Sequence, residues 1–344
     1  MSRAHLLVFS LLMLAAGGGK TLAQGAPQIQ PNAVPPPAPG SQTLPPGPKL
    51  PTPESPEGQA GAGNPAPDPN ADLAFGAYQR GFYETALKEA LKRVAANKHD
   101  AAAMALLGEL YEQGFGVKQD DVAAARWFAA AAAEGNVQAI FALGTDKLQG
   151  RGVPKDVAGA ANLFRQAAAK NHPTALYNLG MLDLQSKPPD FKAAADYFGR
   201  AADLGVPDAA YALALLYRSG RGVTQDDKVA AMWMARAAKD NNIPAEVEYA
   251  IMLFNGVGTD KDEAGAARLF LKAASANNPI AQNRIARLLV TGRGIKADLV
   301  EAMKWHLLAK AAGEKDPWLD QFLTKLTPDQ RKDVDAAVHQ FVGL

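Results

Sequence analysis

The chain has 344 residues, with 36 Lys and Arg against 35 Asp and Glu, and no cysteine. A net charge of +1 excludes a nucleic-acid binder driven by counterion release, and the missing thiols exclude disulfides, cysteine nucleophiles and Cys-ligated zinc. Aromatic content of 7% beside abundant alanine favours closely packed helices over a β-sandwich.

Residues 1–23 read as a secretory leader. Arg3 and His5 precede an apolar run from Leu6 to Ala16, and Thr21-Leu22-Ala23 supplies small residues before a cut at Gln24. The run is too short to span a bilayer, which takes ~20 residues, and no later stretch reaches that length. A mature chain without a transmembrane segment, exported to the periplasm or beyond, is the expectation. Gly17-Gly18-Gly19-Lys20-Thr21 imitates the end of a phosphate-binding loop, but Leu14 stands where the first glycine of that loop belongs.

Residues 24–70 hold 15 of the 24 prolines and no apolar periodicity. Such a segment cannot bury enough surface to offset its ordering entropy, so a disordered linker with polyproline II character is expected. Residues 71–102 then read as a degenerate helix pair capping the body, with Tyr78, Phe82, Leu87 and Leu91 for its core.

From 103 to 313 the chain matches itself six times. Asp120, Asp156, Asp190, Asp226, Asp262 and Asp298 are spaced by 36, 34, 36, 36 and 36 residues. Each precedes an alanine-rich stretch whose first backbone N–H groups a carboxylate can cap. Seven residues on stand Trp127, Leu163, Tyr197, Trp233, Leu269 and Trp305, expected in the core. Eight further on, Gly135, Asn171, Gly205, Asn241, Asn277 and Gly313 suit a left-handed helix end. Ala103, Ala139, Ala175, Ala209, Ala245 and Ala281 open each unit. A Leu-Gly-like pair follows, from Leu107-Gly108 to Ile285-Ala286, then a loop with two glycines. The third unit departs from this: Ser186-Lys187-Pro188-Pro189 is two residues short and lacks the glycines, so a change of curvature is expected there.

One unit is therefore helix, glycine loop, helix, and only a stack of units buries the apolar faces. The fold class expected is all-α, an α/α superhelical solenoid. Residues 314–344 read as C-terminal capping helices: Trp318, Phe322 and Leu326 on one, and Thr327-Pro328-Asp329-Gln330 starting the next as N-cap, N1 and N3.

The six units resemble the Sel-one-like repeat family, a 36-residue relative of the tetratricopeptide repeat, most literally in ALLGELYEQGFGVKQDDVAAARWFAAAAAEG of the first unit. The resemblance implies an adaptor for assembly, signalling or secretion, with a membrane sensor or an envelope assembly complex as candidate partner. Some secreted, disulfide-rich relatives are associated with binding or hydrolysing β-lactams, which implies as alternatives a peptidoglycan- or polysaccharide-associated protein or, further off, a β-lactam or cell-wall hydrolase. The paired cysteines of those relatives are missing here.

Candidate chemistry is sparse. His99, His172, His306 and His339 lack metal-ligand spacing, with His306 expected to be exposed or packed on a neighbour, and no serine sits in a nucleophile elbow. The expectation is a non-enzyme with no metal and no cofactor. What varies between units is the outward side of the first helix. A protein or peptide is expected to bind there, on the concave face, at Phe141, Tyr177, Asn178, Met181, Tyr211, Leu215, Glu248, Arg284 and Arg287. Arg151, Arg221 and Arg293, each between two loop glycines, form a second stripe open to solvent or to an acidic partner.

Overall fold

The computed structural model describes residues 72–343, so the expected leader and the whole proline-rich stretch of 24–70 lie outside the described residues. Those described form sixteen helices and no strand. A capping pair, α1 (Leu73–Gln79) and α2 (Tyr83–Ala96), precedes six repeats. These are α3 (Ala101–Gln113) with α4 (Asp121–Ala133), α5 (Val137–Gln149) with α6 (Val157–Ala169), α7 (Pro173–Gln185) with α8 (Phe191–Asp203), α9 (Pro207–Ser219) with α10 (Asp227–Lys239), α11 (Ile243–Asn255) with α12 (Glu263–Ser275), and α13 (Pro279–Thr291) with α14 (Leu299–Ala311). Two helices, α15 (Pro317–Leu323) and α16 (Pro328–Val342), close the stack. From α1 to α15 each helix packs on its neighbours in sequence, and α16 folds back on α14. The all-α solenoid read from the repeats is the fold.

Local rules account for where the helices begin and end. Every aspartate of the periodic column accepts a backbone N–H as N-cap of its second helix, as Asp156 does from Gly159 at 2.8 Å. The Gly/Asn column lies two residues past each second-helix end at φ between 57° and 101°, and glycine and asparagine are the residues that tolerate this left-handed backbone best. The first helices carry a cap column of their own: Asp100, Asn136, His172, Asn242 and Asn278 each accept the N–H of the opening alanine. At the C-terminus, Thr327 and Gln330 form the expected capping box.

The core column sits one residue after its expected place. Phe128, Phe164, Phe198, Met234, Phe270 and His306 are at most 4% exposed, whereas Trp127, Leu163, Tyr197, Trp233 and Leu269 are only half-buried and Trp305 alone of that column is fully buried. The cause is the facing first helix. A Cβ at Gly108, Gly144 or Gly180 would lie 2.5, 2.8 or 2.6 Å from the ring of Phe128, Phe164 or Phe198. The missing side chain is the slot into which the ring fits. His306 is likewise buried rather than exposed. Its Nε2 stands 2.9 Å from Asp320 Oδ1 and so carries the proton, because a carboxylate only accepts. In the N-terminal cap, Phe82 and Leu91 are exposed and the core is made instead by Ala74, Ala77, Ala86 and Ala90, with Tyr78 and Leu87 packed against them.

The loops interlock neighbouring repeats. The second loop glycine lies against the backbone at the start of the preceding repeat's second helix: Gly152 on Asp121, Gly222 on Phe191, Gly294 on Glu263. Between the glycines, Phe115 stacks on Tyr83 with ring centroids 4.4 Å apart. Arg221 lies over the Phe191 ring, and Arg151 and Arg293 pair with Glu112 and Glu263. The arginine stripe is therefore engaged in holding repeats together.

Candidate partner-binding face

The variable columns project from the first helices, which lie side by side and exchange hydrogen bonds directly. Tyr78 donates to Glu109, Arg218 to Glu248 at 2.6 Å, and Asn242 to Asp208 at 2.7 Å. Side chains on this face thus bridge one repeat to the next.

The nine expected contact residues divide by accessibility. Phe141 is half-buried, its ring stacked on His172 at 4.4 Å and 5.7 Å from Phe164. Tyr177 and Met181 are each 7% exposed. The Tyr177 ring lies 5.7 Å from Phe198, so these two form the floor of the face and offer a partner little surface. Burial pushes the Tyr177 hydroxyl above its ordinary range. Asn178, Tyr211 and Leu215 keep part of their surface open. Burial, reinforced by the nearby Glu248 carboxylate, pushes the Tyr211 hydroxyl up to about 12. Glu248 accepts from Arg218 while Arg287 grips Asp316 through Nε at 2.6 Å and Nη2 at 2.8 Å. Arg284 is exposed, and among the described residues it has no hydrogen-bond or ion-pair partner.

At the C-terminal end the face deepens into a cleft of about 340 Å³. It is lined by Ile251, Phe254 and Asn255 of α11, Phe270 of α12, Arg284, Arg287, Leu288 and Thr291 of α13, the loop residue Arg293, and Trp318 of α15. Sequence reasoning placed Arg284 and Arg287 on this face and Arg293 in the separate loop stripe, and missed the aromatic walls that bring them together. Trp318 arrives through the cap: Asp316, 3% exposed, is the N-cap of α15 and is bound by Asn283 and Arg287. The Asp316-Pro317 pair before Trp318 was the available signal for that helix start.

Electrostatics elsewhere are structural. Asp146, 2% exposed, accepts from Arg151 at 2.7 and 2.9 Å. Burial outweighs that pairing and leaves its carboxyl raised to about 6. This group lies at a repeat seam, where Arg151 joins it to Glu112 of the preceding repeat. Among the described residues no three His, Asp or Glu side chains come together as metal ligands, and no helix is long and apolar enough to cross a membrane.

Helix pairs stacked in register, with side chains bridging first helix to first helix, define a repeat scaffold of the kind used for protein–protein interaction. Residues 101–136, 137–172, 173–206, 207–242, 243–278 and 279–314 each match the Sel1 repeat, and the chain belongs to that family. It is similar to the crystal structure of a Sel1 repeat protein from Oxalobacter formigenes, at 26% identity and a TM-score of 0.60, over 72% of this chain and 100% of that one. A second likeness, in fold, is to c5321, a protective antigen present in uropathogenic Escherichia coli strains and displaying an SLR fold. There the identity is 23% and the TM-score 0.50, over 79% of this chain and 67% of that one. No curated protein matches the chain.

Proposed function

We propose that this protein is a non-catalytic adaptor, exported to the periplasm, that docks a protein or peptide on the first-helix face, which is the concave side of its superhelix. The observation that carries the reading is the contrast between columns. The alanine, glycine and aspartate positions that build the stack repeat with little change, while the outward first-helix positions differ from repeat to repeat and keep open surface at Asn178, Tyr211, Leu215 and Arg284. A constant frame presenting variable side chains is suited to recognition by preorganised docking. The leader at residues 1–23 supports the periplasmic address, and residues 24–70 would give the body reach.

Photo-crosslinking in the native cell tests this. A photoreactive residue at Asn178 or Leu215 is expected to trap a defined partner. The same residue at Val157 or Met232, exposed on second helices at 45% and 56%, is expected to trap none. Crosslinks from the second-helix positions alone would refute the assignment. Recovery of the chain with an intact leader in the cytoplasmic fraction would refute the address.

A further inference from the structure

We propose that the cleft between α11, α13 and α15 seats an acidic peptide of the partner, one that carries an aromatic or aliphatic side chain beside a carboxylate. This rests on the first-helix face being the docking surface and names the chemistry that its C-terminal end recognises.

Charge complementarity points to the ligand. Three guanidinium groups line the cleft, and no carboxylate does. Two of them are committed. Arg287 is held by both oxygens of the buried Asp316, and Arg293 pairs with Glu263. Arg284 has no partner among the described residues, so one planar, fork-shaped cation stands open on the rim. A guanidinium of this kind matches a carboxylate through two parallel hydrogen bonds.

The walls select what accompanies the carboxylate. Arg287 lies over the Trp318 ring at 5.2 Å from its centroid and Arg293 over Phe254 at 4.3 Å. Each committed arginine is thereby held against an aromatic ring and pre-placed, which lowers the ordering cost of binding. A volume of about 340 Å³ lies at the small end of the ~300–1,000 Å³ range of ligand clefts. It suits one or two side chains of a longer bound segment. A single open cation and a chain net charge of +1 do not suit the row of phosphates of a nucleic acid.

The test is fluorescence anisotropy on the full chain with a fluorescein-labelled, amidated peptide Gly-Ser-Asp-Phe-Asp-Ser-Gly. Two counterparts replace both Asp by Lys, or Phe by Ala. The acidic aromatic peptide is expected to bind at least tenfold more tightly than either counterpart. Arg284→Glu should weaken it at least tenfold and Arg284→Lys by less, with helix content unchanged because Arg284 is exposed. Trp318→Ala should weaken the Phe peptide and leave the Ala peptide unchanged. Equal affinity for the acidic and basic peptides, an unaltered affinity in Arg284→Glu, or full displacement by equimolar inorganic phosphate would each overturn the proposal. Absence of binding by all three peptides would overturn it too. If the peptides fail while Leu215 still crosslinks a partner, the ligand class falls and the docking face stands. If crosslinks come only from second helices, the face itself falls.

Discussion

Gly258 rests directly on the backbone of Asp227: a Cβ at Gly258 would lie 2.0 Å from the Asp227 carbonyl oxygen. Glycine is required there twice over, by a φ of 70° and by the contact that joins the fifth repeat to the fourth. Gly205 separates the two demands. It has a φ of 85° and nothing within 4 Å of the added atom.

Gly258→Ala is therefore expected to cost about 2–4 kcal/mol, backbone strain plus overpacking. Gly205→Ala should cost about 1 kcal/mol from strain alone. Denaturant unfolding of the two variants measures the difference, and equal losses would mean that the interlock contributes nothing.

The displaced core column makes a second pair. Phe164 is fully buried, so Phe164→Ala should destabilise by about 3–5 kcal/mol. Leu163→Ala, at a half-buried position, should cost about 1–2 kcal/mol. A larger loss at Leu163 would restore the column that the spacing alone suggests.

His306 is the polar member of that column, and its Nδ1 is buried with no partner. The fifth repeat shows that a ring fits opposite alanine, since Phe270 packs in the cluster that holds Ala250. Ala286 stands in the corresponding place before His306. His306→Phe is expected to raise stability by about 1 kcal/mol, because an unsatisfied buried nitrogen is removed while Asp320 keeps Lys310 at 2.7 Å. A lower thermal midpoint would show that the Asp320 bond outweighs the orphaned nitrogen.

The raised Asp146 carboxyl has a pH signature. Its folded value of about 6 exceeds the ~3.9 of an unfolded aspartate, so the folded state binds the proton more tightly. The stabilisation is fully present below about pH 4 and is lost as pH rises through about 6, up to ~3 kcal/mol in all. Asp146→Asn removes the ionisation. The thermal midpoint of wild type relative to this variant should therefore fall between pH 4 and pH 6.5. Parallel curves would place the Asp146 carboxyl in its ordinary range.

Much of the frame is legible in the sequence because each local rule is stated six times. Aspartate caps, left-handed Gly/Asn ends and opening alanines need only neighbours within a few residues. The core column is harder to place. Trp127-Phe128, Leu163-Phe164, Tyr197-Phe198 and Leu269-Phe270 put two large apolar residues side by side, and a helix turns only about 100° between them. Which one enters the slot is decided by Gly108, Gly144 and Gly180 on the facing helix. The cleft is harder still. It depends on Asn283 and Arg287 of α13 holding Asp316, about thirty residues along the chain and in a cap that does not share the repeat's period. Tyr177 reads as a contact residue by column position, yet its ring is taken up by packing near Phe198.

The glycine interlock is absent from one loop. Ser186-Lys187-Pro188-Pro189 carries no glycine to lay on Val157 at the start of α6, and Asp190 closes its turn on Asp183 seven residues back rather than nine, as Asp226 does on Tyr217. Stability in a stack of this kind is a sum of repeat and nearest-neighbour terms, so the missing clasp subtracts from one boundary only. Pulled from its two ends, the solenoid would come apart first between α6 and α7, leaving two repeats with the N-terminal cap and four with the C-terminal one. The sequence thus carries a built-in perforation, placed upstream of the cleft that holds Arg284.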